Sequence, residues 1–387
     1  MKEISIITSY FPPETGAASN RILHLAEGLQ KKGFQVTVIT PLPNYPTGKI
    51  FRDYRGKFRQ TSIENNIKIH RLWIYASNSK NKLLRLFAML SYSISLILFF
   101  ISNKVPKTVI IQSPPLLVAH ICIRVLKSKN RKIILNVSDL WPSAGLELGA
   151  FKRNWSYKRL EKIESYNYKN ADLVLGQSNE ILTHITALFP DKKTFLYRNY
   201  PHIEVVETPY KNDSSSKLKI VYAGLLGVAQ SISSLCREID YKSVEFHIYG
   251  DGAEREWIEK HTSQNRKLPI FYHGEVSREQ LHKLVLQYDI VIIPLKNRIY
   301  GSVPSKIFEY AFLGMPMLYF GGGEGEAIIK KYQLGWTAKA GDYNNLNVVI
   351  SKINKEELNE ELREKIRRNA KAYFDFNTQL EQLIQVL

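Results

Sequence analysis

The sequence predicts an α/β protein of two doubly wound domains in succession, and three observations predict it. Its 387 residues exceed what one hydrophobic core usually organises. Short apolar runs of buried parallel-strand type alternate with helical periodicities along most of the chain. A polar stretch, HIEVVETPYKNDSSSK at 202–217, separates one such series from a second that starts afresh.

The first series reads ISIIT (4–8), QVTVIT (35–40), IKIHRLWIY (67–75), TVIIQ (108–112), KIILNV (132–137), DLVLGQ (172–177) and TFLY (194–197) as strands. ASNRILHLAEGLQKKG (18–33) is the clearest helix: Ile22, Leu25, Ala26 and Leu29 share one face and Gly33 stops it. His24 lies beside that stripe and is read as structural. The second series runs LKIVYAG (218–224), VEFHIYG (244–250), IFYHG (270–274), DIVIIPL (289–295) and PMLYFGG (316–322). Between its last two strands a helix is expected from Pro304, which suits a first turn, to Leu313, stopped by Gly314 with Pro316 beyond. The domains expected are 1–205 and 206–387, with the last helix a candidate to pack back on the first.

In sheets of this kind ligands bind beyond the carboxyl ends of the strands, so the cleft between the domains is the expected site. Glycines gather there. YAGLLGVAQSISSL (222–235) sets Gly224 and Gly227 between strand and helix, and YGDGAEREW (249–257) repeats the arrangement with Gly250, Asp251 and Gly252. Such turns let backbone N–H groups approach a phosphate, though a tight turn needs glycine with no ligand as well. On the 304–313 helix, Ile307 with Ala311 and Phe308 with Phe312 face inward, whereas Lys306 and Glu309 share another face. A lysine in the first turn adds charge for an anion, and a glutamate one turn on can accept from sugar hydroxyls; a solvated ion pair is the plainer alternative.

The formal charge of +18 is unevenly placed: residues 1–200 hold 30 Lys/Arg against 12 Asp/Glu, and residues 201–387 hold 24 against 24. A basic half suits nucleic acid or an anionic membrane surface, but no recognition helix, zinc finger or aromatic RNA-binding pattern is present, so nucleic acid is set aside. LFAMLSYSISLILFFIS (86–102) carries no charge and follows KNKLLR (80–85). It is short for a span and rich in serine, which leaves a core helix or a membrane-facing one. Two cysteines, Cys122 and Cys236, far apart in apolar segments, suggest neither disulfide nor metal site. The first residues run straight into a strand without a leader's apolar core, so a cytoplasmic protein is expected.

The motifs YFPPETGAASNRILHLAEGLQKKGFQVTVIT, LPNYPTGKIFRDYRGKF, SPPLLVAH, DLWP, YAGLLGVAQ, YGDGAERE and VPSKIFEYAFLGMPML make nearly the whole chain resemble the GT-B-fold glycosyltransferases of family 4, in particular bacterial enzymes of O-antigen, capsule and colanic-acid assembly. The resemblance implies two facing Rossmann-like domains, the second binding a nucleotide sugar, with a UDP-sugar favoured, and the first a polyprenyl-diphosphate-linked saccharide. It implies retention of anomeric configuration. Glu309 matches the second glutamate of the family's Glu-x7-Glu motif, which holds the ribose hydroxyls. The first glutamate's place is taken by Gly301, the phosphate-binding lysine's neighbourhood by Gln230, and its arginine companion's place by Leu225. Lys306 would supply the missing cation, with Ser302 and Ser305 beside it as donor contacts. No Asp-x-Asp occurs, in keeping with a reaction without metal or cofactor, the nucleotide sugar being a co-substrate. In the first domain Gly16, within PETGAASN, would let the chain approach the donor, and Asp139 in SDLWP would act on the acceptor hydroxyl or cap a helix. The protein is expected on the inner face of the plasma membrane, against anionic lipid. A GT-B subunit that binds nucleotide sugar without turnover, and a nucleotide-sugar 2-epimerase, are the alternatives; the histidines do not cluster in sequence as an epimerase's acid/base groups should.

Overall fold

A computed structural model describes residues 2–79, 81–147, 149, 152–201 and 217–387. All of the polar stretch at 202–217 except Lys217 lies outside the described residues. The chain divides into two compact units, residues 1–199 with 376–387, and residues 200–375.

The first unit runs β1 (Glu3–Ile7), α1 (Ala17–Lys31), β2 (Gln35–Pro41), β3 (Arg59–Glu64), β4 (Ile67–Leu72), α2 (Lys82–Ser102), β5 (Thr108–Ser113), α3 (Leu116–Leu126), β6 (Lys132–Val137), α4 (Ser143–Glu147), α5 (Trp155–Asn170), β7 (Leu173–Gly176), α6 (Asn179–Leu188) and β8 (Thr194–Leu196). Its sheet has the order β3-β4-β2-β1-β5-β6-β7-β8. Every pair is parallel except the β3–β4 edge, which is antiparallel with Arg59 opposite Leu72 and Glu64 opposite Ile67. Central strands are buried on both faces, as crossover helices require: Ile4, Ile6, Ile110 and Ile134 are all inaccessible. The expected inward stripe of α1, Ile22, Leu25, Ala26 and Leu29, is buried. Strand 67–75 is shorter than expected, ending at Leu72, with one further bond in the same register from the Trp73 N–H to the Phe58 carbonyl (2.9 Å).

The second unit runs β9 (Leu218–Ala223), α7 (Ile232–Glu238), β10 (Val244–Tyr249), α8 (Arg255–Gln264), β11 (Ile270–Tyr272), α9 (Arg278–Val285), β12 (Ile290–Pro294), α10 (Lys306–Phe312), β13 (Met317–Gly321), α11 (Glu324–Lys331), β14 (Gly335–Lys339), α12 (Tyr343–Ser351) and α13 (Glu360–Tyr373). Its all-parallel sheet has the order β11-β10-β9-β12-β13-β14. Alternate residues of β12 feed the two faces: Val291 and Ile293 pack with Ile307, Phe308 and Ala311 of α10, while Ile290 and Ile292 pack with Phe246, Leu318 and Leu346. Strand order reverses between β9 and β12, so the carboxyl ends of those two strands form the unit's switch point.

Strand β14 has no apolar signal, and its first residue explains its dependence on context. Gly335 has φ +144°, a region only glycine adopts readily, and a Cβ there would strike the backbone of Met317 on β13. Gly335→Ala is expected to cost about 3 kcal/mol, read as a lowered denaturant midpoint.

The last helix, α14 (Phe376–Val386), belongs to the first unit. The Gln379 amide exchanges hydrogen bonds with Arg198, accepting from its N–H (2.8 Å) and donating to its carbonyl (3.0 Å). Gly28 of α1 makes room for it: a side chain there would meet Leu380 and the Phe376 ring. His24 also packs edge-on against Phe376 (6.3 Å between centroids), the structural role expected of it.

Candidate active site

In the second unit the switch point gathers most of the expected donor residues. The turn after β9 begins at Gly224, whose φ of +147° excludes other residues. Lys306, the first residue of α10, reaches back across this turn. Its Nζ donates to the Ala223 carbonyl, lies 4.9 Å from the Tyr222 ring centroid, and occupies the space a Gly224 Cβ would need. Burial is the main cause that lowers its pKa to about 8, with Glu309 opposing. A part-buried ammonium therefore stands at the carboxyl end of β9, as the sequence suggests.

The helix itself starts two residues later than expected. Pro304 and Ser305 lie ahead of it in a tightened turn, in which Ile307 and Phe308 donate to the carbonyls of Pro304 and Ser305 (3.1 Å each). Ser302 and Ser305 are half-buried in the approach to α10, and Ser305 occupies the N-cap position without a side-chain cap bond. Gly301 takes φ +83° in the same approach, a conformation that a glutamate would adopt only under strain.

Glu309 and Lys306 do not pair with each other. The Glu309 Oε1 instead accepts from His282 Nε2 (2.7 Å) and Arg278 Nε (2.9 Å), both on α9. Burial alone would raise the pKa of this carboxyl, but the His282 hydrogen bond and the Arg278 charge outweigh it and hold it below the usual range. Both described donors meet the same oxygen, Oε1. The solvated ion-pair alternative is thereby set aside. Arg278 and His282 went unnoticed in the sequence, although their four-residue spacing sets both on one helix face.

The other glycines have a different part. Gly250 (φ +138°) and Gly252 (φ +151°) are required because side chains there would strike the Gly224 and Leu226 carbonyls. Leu226 donates to the Asp251 carbonyl (2.9 Å), and the Asp251 side chain accepts from the Gly252 N–H (2.8 Å) and faces solvent. The second turn thus buttresses the first. Gly227 and Gln230 close the first turn, Gln230 donating its N–H to the Gly227 carbonyl (3.1 Å) with its side-chain oxygen against Gly227. At the start of α7 one backbone N–H is already taken. The Glu254 carboxylate already accepts from the Ser233 N–H (3.2 Å) and hydroxyl (2.6 Å). Lys306 is the cation that the described contacts place at this turn.

Nor are the histidines scattered in space. Besides His282 at Glu309, His247 and His273 meet through ring nitrogens at 3.1 Å, stacked with Tyr249 and Phe271. Burial lowers the His247 pKa to about 4, with His273 and Lys219 adding to it. A neutral, stacked pair of this kind is a packing element.

In the first unit Gly16 (φ +144°) is the N-cap of α1, without a side-chain cap, and a Cβ added there would come within 3.8 Å of the Tyr45 ring. Just before it, Glu14 is buried and accepts from the N–H groups of Asn44 (2.7 Å) and Tyr45 (2.8 Å), tying the loop after β1 to that after β2. Asp139 follows β6, four residues ahead of α4. Burial raises its pKa, while Arg21 pulls it down. Arg21, buried on α1, bonds to Ser138 Oγ and to Gln177 Oε1 (3.4 Å); Gln112 donates to Ser138 Oγ (2.5 Å) and accepts from Asn136 (2.9 Å). This polar network stands at the carboxyl ends of β5, β6 and β7, and of its members only Asp139 was singled out in the sequence.

Two family models match the chain: a glycosyl transferase 4-like domain over residues 16–197 and glycosyl transferases group 1 over residues 219–373. The chain belongs to glycosyltransferase family 4 and has the GT-B fold. A curated relative, named Probable glycosyltransferase WbjE, of Pseudomonas aeruginosa, is 24% identical over 238 residues, 57% of this chain; the chain spans about 60% of the length of that relative. Among solved structures, sucrose-phosphate synthase from Thermosynechococcus elongatus matches with a TM-score of 0.75 at 14% identity, over 100% of this chain and 98% of its own. Anabaena HepE in complex with UDP and glucose matches at 0.67 and 13%, over 100% and 99%. The catalytic domain of starch synthase IV from Arabidopsis thaliana, bound to ADP and acarbose, matches at 0.68 and 12%, over 99% and 98%. These likenesses bear out the expected fold.

Proposed function

We propose that this family 4 chain transfers a sugar, with retention and without a metal ion, from a nucleotide sugar to a polyprenyl-diphosphate-linked saccharide. The setting is bacterial cell-surface polysaccharide synthesis, of O-antigen or capsule type, at the cytoplasmic face of the membrane. The observation that carries the reading is Lys306 at the end of β9, held over Gly224 one helical turn from Glu309. Breaking the anomeric C–O bond develops negative charge on the departing diphosphate, and a cation already in place stabilises that charge without reorganisation. Glu309, with one oxygen fixed by Arg278 and His282, turns the other toward ribose hydroxyls. A UDP-sugar is favoured as donor, in line with the UDP and glucose bound by HepE, which shares the fold. On the acceptor side Asp139, its carboxyl raised by burial, is a base for the attacking hydroxyl, and the departing phosphate is a second group that can take that proton.

The test is a panel of UDP-, GDP- and dTDP-sugars incubated with the full chain, followed for slow release of free sugar. Release from one nucleotide class is expected. Glu309→Gln should raise the KM for that donor about tenfold, with little change in folding, since it weakens one charge-assisted contact worth about 1.5 kcal/mol. Binding of donor with no release supports the inactive subunit, which Gly301 in the first glutamate's place favours, and an epimerised donor supports the epimerase.

A further inference from the structure

Helix α2 is built unlike the other helices of the first unit. From residue 86 to its end it carries no charged side chain. Only about a third of it is buried in the fold. Leu83, Phe87, Leu90, Ile94, Leu98 and Ile101, spaced three or four apart, form one outward stripe with exposures between 41% and 77%. At 1.5 Å per residue the stripe is roughly 30 Å long. The opposite face is anchored. Leu96 is inaccessible, and the Tyr92 hydroxyl donates to the Thr8 carbonyl at the end of β1 (3.0 Å), with the Ile39 carbonyl of β2 at 3.3 Å. A helix tied to the sheet in this way cannot cross a bilayer while the unit stays folded.

The surroundings of the stripe are aromatic and basic. Tyr75 lies edge-on to Phe87 (5.0 Å), and Phe58, 78% exposed, lies beside Trp73 (6.3 Å). Arg59 stacks on Phe99 (4.8 Å) and bonds to Asn103 (3.1 Å), which fixes the segment carrying Lys49, Arg52, Arg55 and Lys57 beside the end of α2. All four are exposed, as are Arg85 near the start of the helix and Lys104 just past its end.

We propose that α2 lies flat in the interface of an anionic bilayer, its outward stripe among the acyl chains and the basic rim on the headgroups. This extends, and in function rests on, the reading of a lipid-linked acceptor. Apolar side chains at one depth with tyrosine, tryptophan and cations around them match the layered polarity of a membrane surface. A second copy of the chain fits worse, because it would set two rims of the same charge against each other, and the whole excess of positive charge falls in residues 1–200.

The experiment uses the full chain carrying Ile94→Cys labelled with an environment-sensitive fluorophore; the native Cys122 and Cys236 are buried. With phosphatidylcholine–phosphatidylglycerol vesicles the emission should shift to the blue and the protein should float with the vesicles. Pure phosphatidylcholine should bind it weakly, and high salt should reduce but not abolish binding to the mixed vesicles. A Val348→Cys label on the second unit should stay unshifted. Replacing Phe87 and Leu98 by serine should weaken partition about tenfold per side chain and leave donor hydrolysis without vesicles unchanged. An unshifted label at position 94, an equal shift at 348, or a lipid-free dimer that the serine variant dissociates would each overturn the proposal. Hydrolysis of donor by a protein that ignores vesicles refutes the docking alone, and vesicle binding by a protein inert toward every donor refutes the transferase reading alone.

Discussion

Lys306→Ala is expected to lose about 2 to 4 kcal/mol of transition-state stabilisation, between roughly thirtyfold and several hundredfold in turnover, the scale of a donor placed where charge develops. The loss should fall mainly on kcat, because the diphosphate carries more charge as it departs than when the donor first binds. A pH signature accompanies it. In the free protein Lys306 titrates near pH 8, so its charged form prevails below that value and is lost above it. The kcat/KM for donor in the wild type should therefore fall as pH rises through about 8, a descent that Lys306→Ala removes. Equal rates for wild type and variant across this range would disprove the assignment.

Gly224→Ala should match or exceed that loss for a reason seated in the backbone. A methyl group at residue 224 claims the position of the lysine Nζ, and φ +147° is strained for any L side chain. The variant should be less stable by about 1 to 3 kcal/mol and should lose activity at least as far as Lys306→Ala. Because the two substitutions attack one contact, the double variant should be little worse than either single one in rate, a strong coupling in a double-mutant cycle. Additive losses would mean that the glycine turn acts apart from the lysine.

Much of this architecture is written in local pattern. The β12–α10–β13 unit is legible because IVIIP and MLYFG are unbroken apolar runs and a proline and a glycine bracket the helix between them. The start of α10 misleads because Pro304 obeys the first-turn rule, while the chain there forms a tighter turn closed by the Ile307 and Phe308 N–H groups before the helix begins. Strand β3, RQTSIE, is an antiparallel edge with polar side chains on both faces, so no alternation marks it. The site is legible where its residues lie on one helix, as Lys306 and Glu309 do. It is hidden where contact is long-range: Arg21 meets Ser138 and Gln177 across 117 and 156 residues, and His282 meets Glu309 across 27. No spacing rule reaches that far, and the capture of α7's first turn by Glu254 depends on two turns stacking in space.

The seam closed by α14 bears on the order in which the chain can mature. A ribosome releases residues 1–199 well before residues 376–387, yet Arg198 and the groove at Gly28 are completed only by Gln379 and Leu380. During synthesis of the intervening residues 200–375 the first unit stays unsealed along one helix, with apolar surface uncovered, even if its sheet has already formed. The last dozen residues thus act as a closing latch whose arrival ends that exposure, so a chain truncated near residue 375 loses the seal of the unit that was made first.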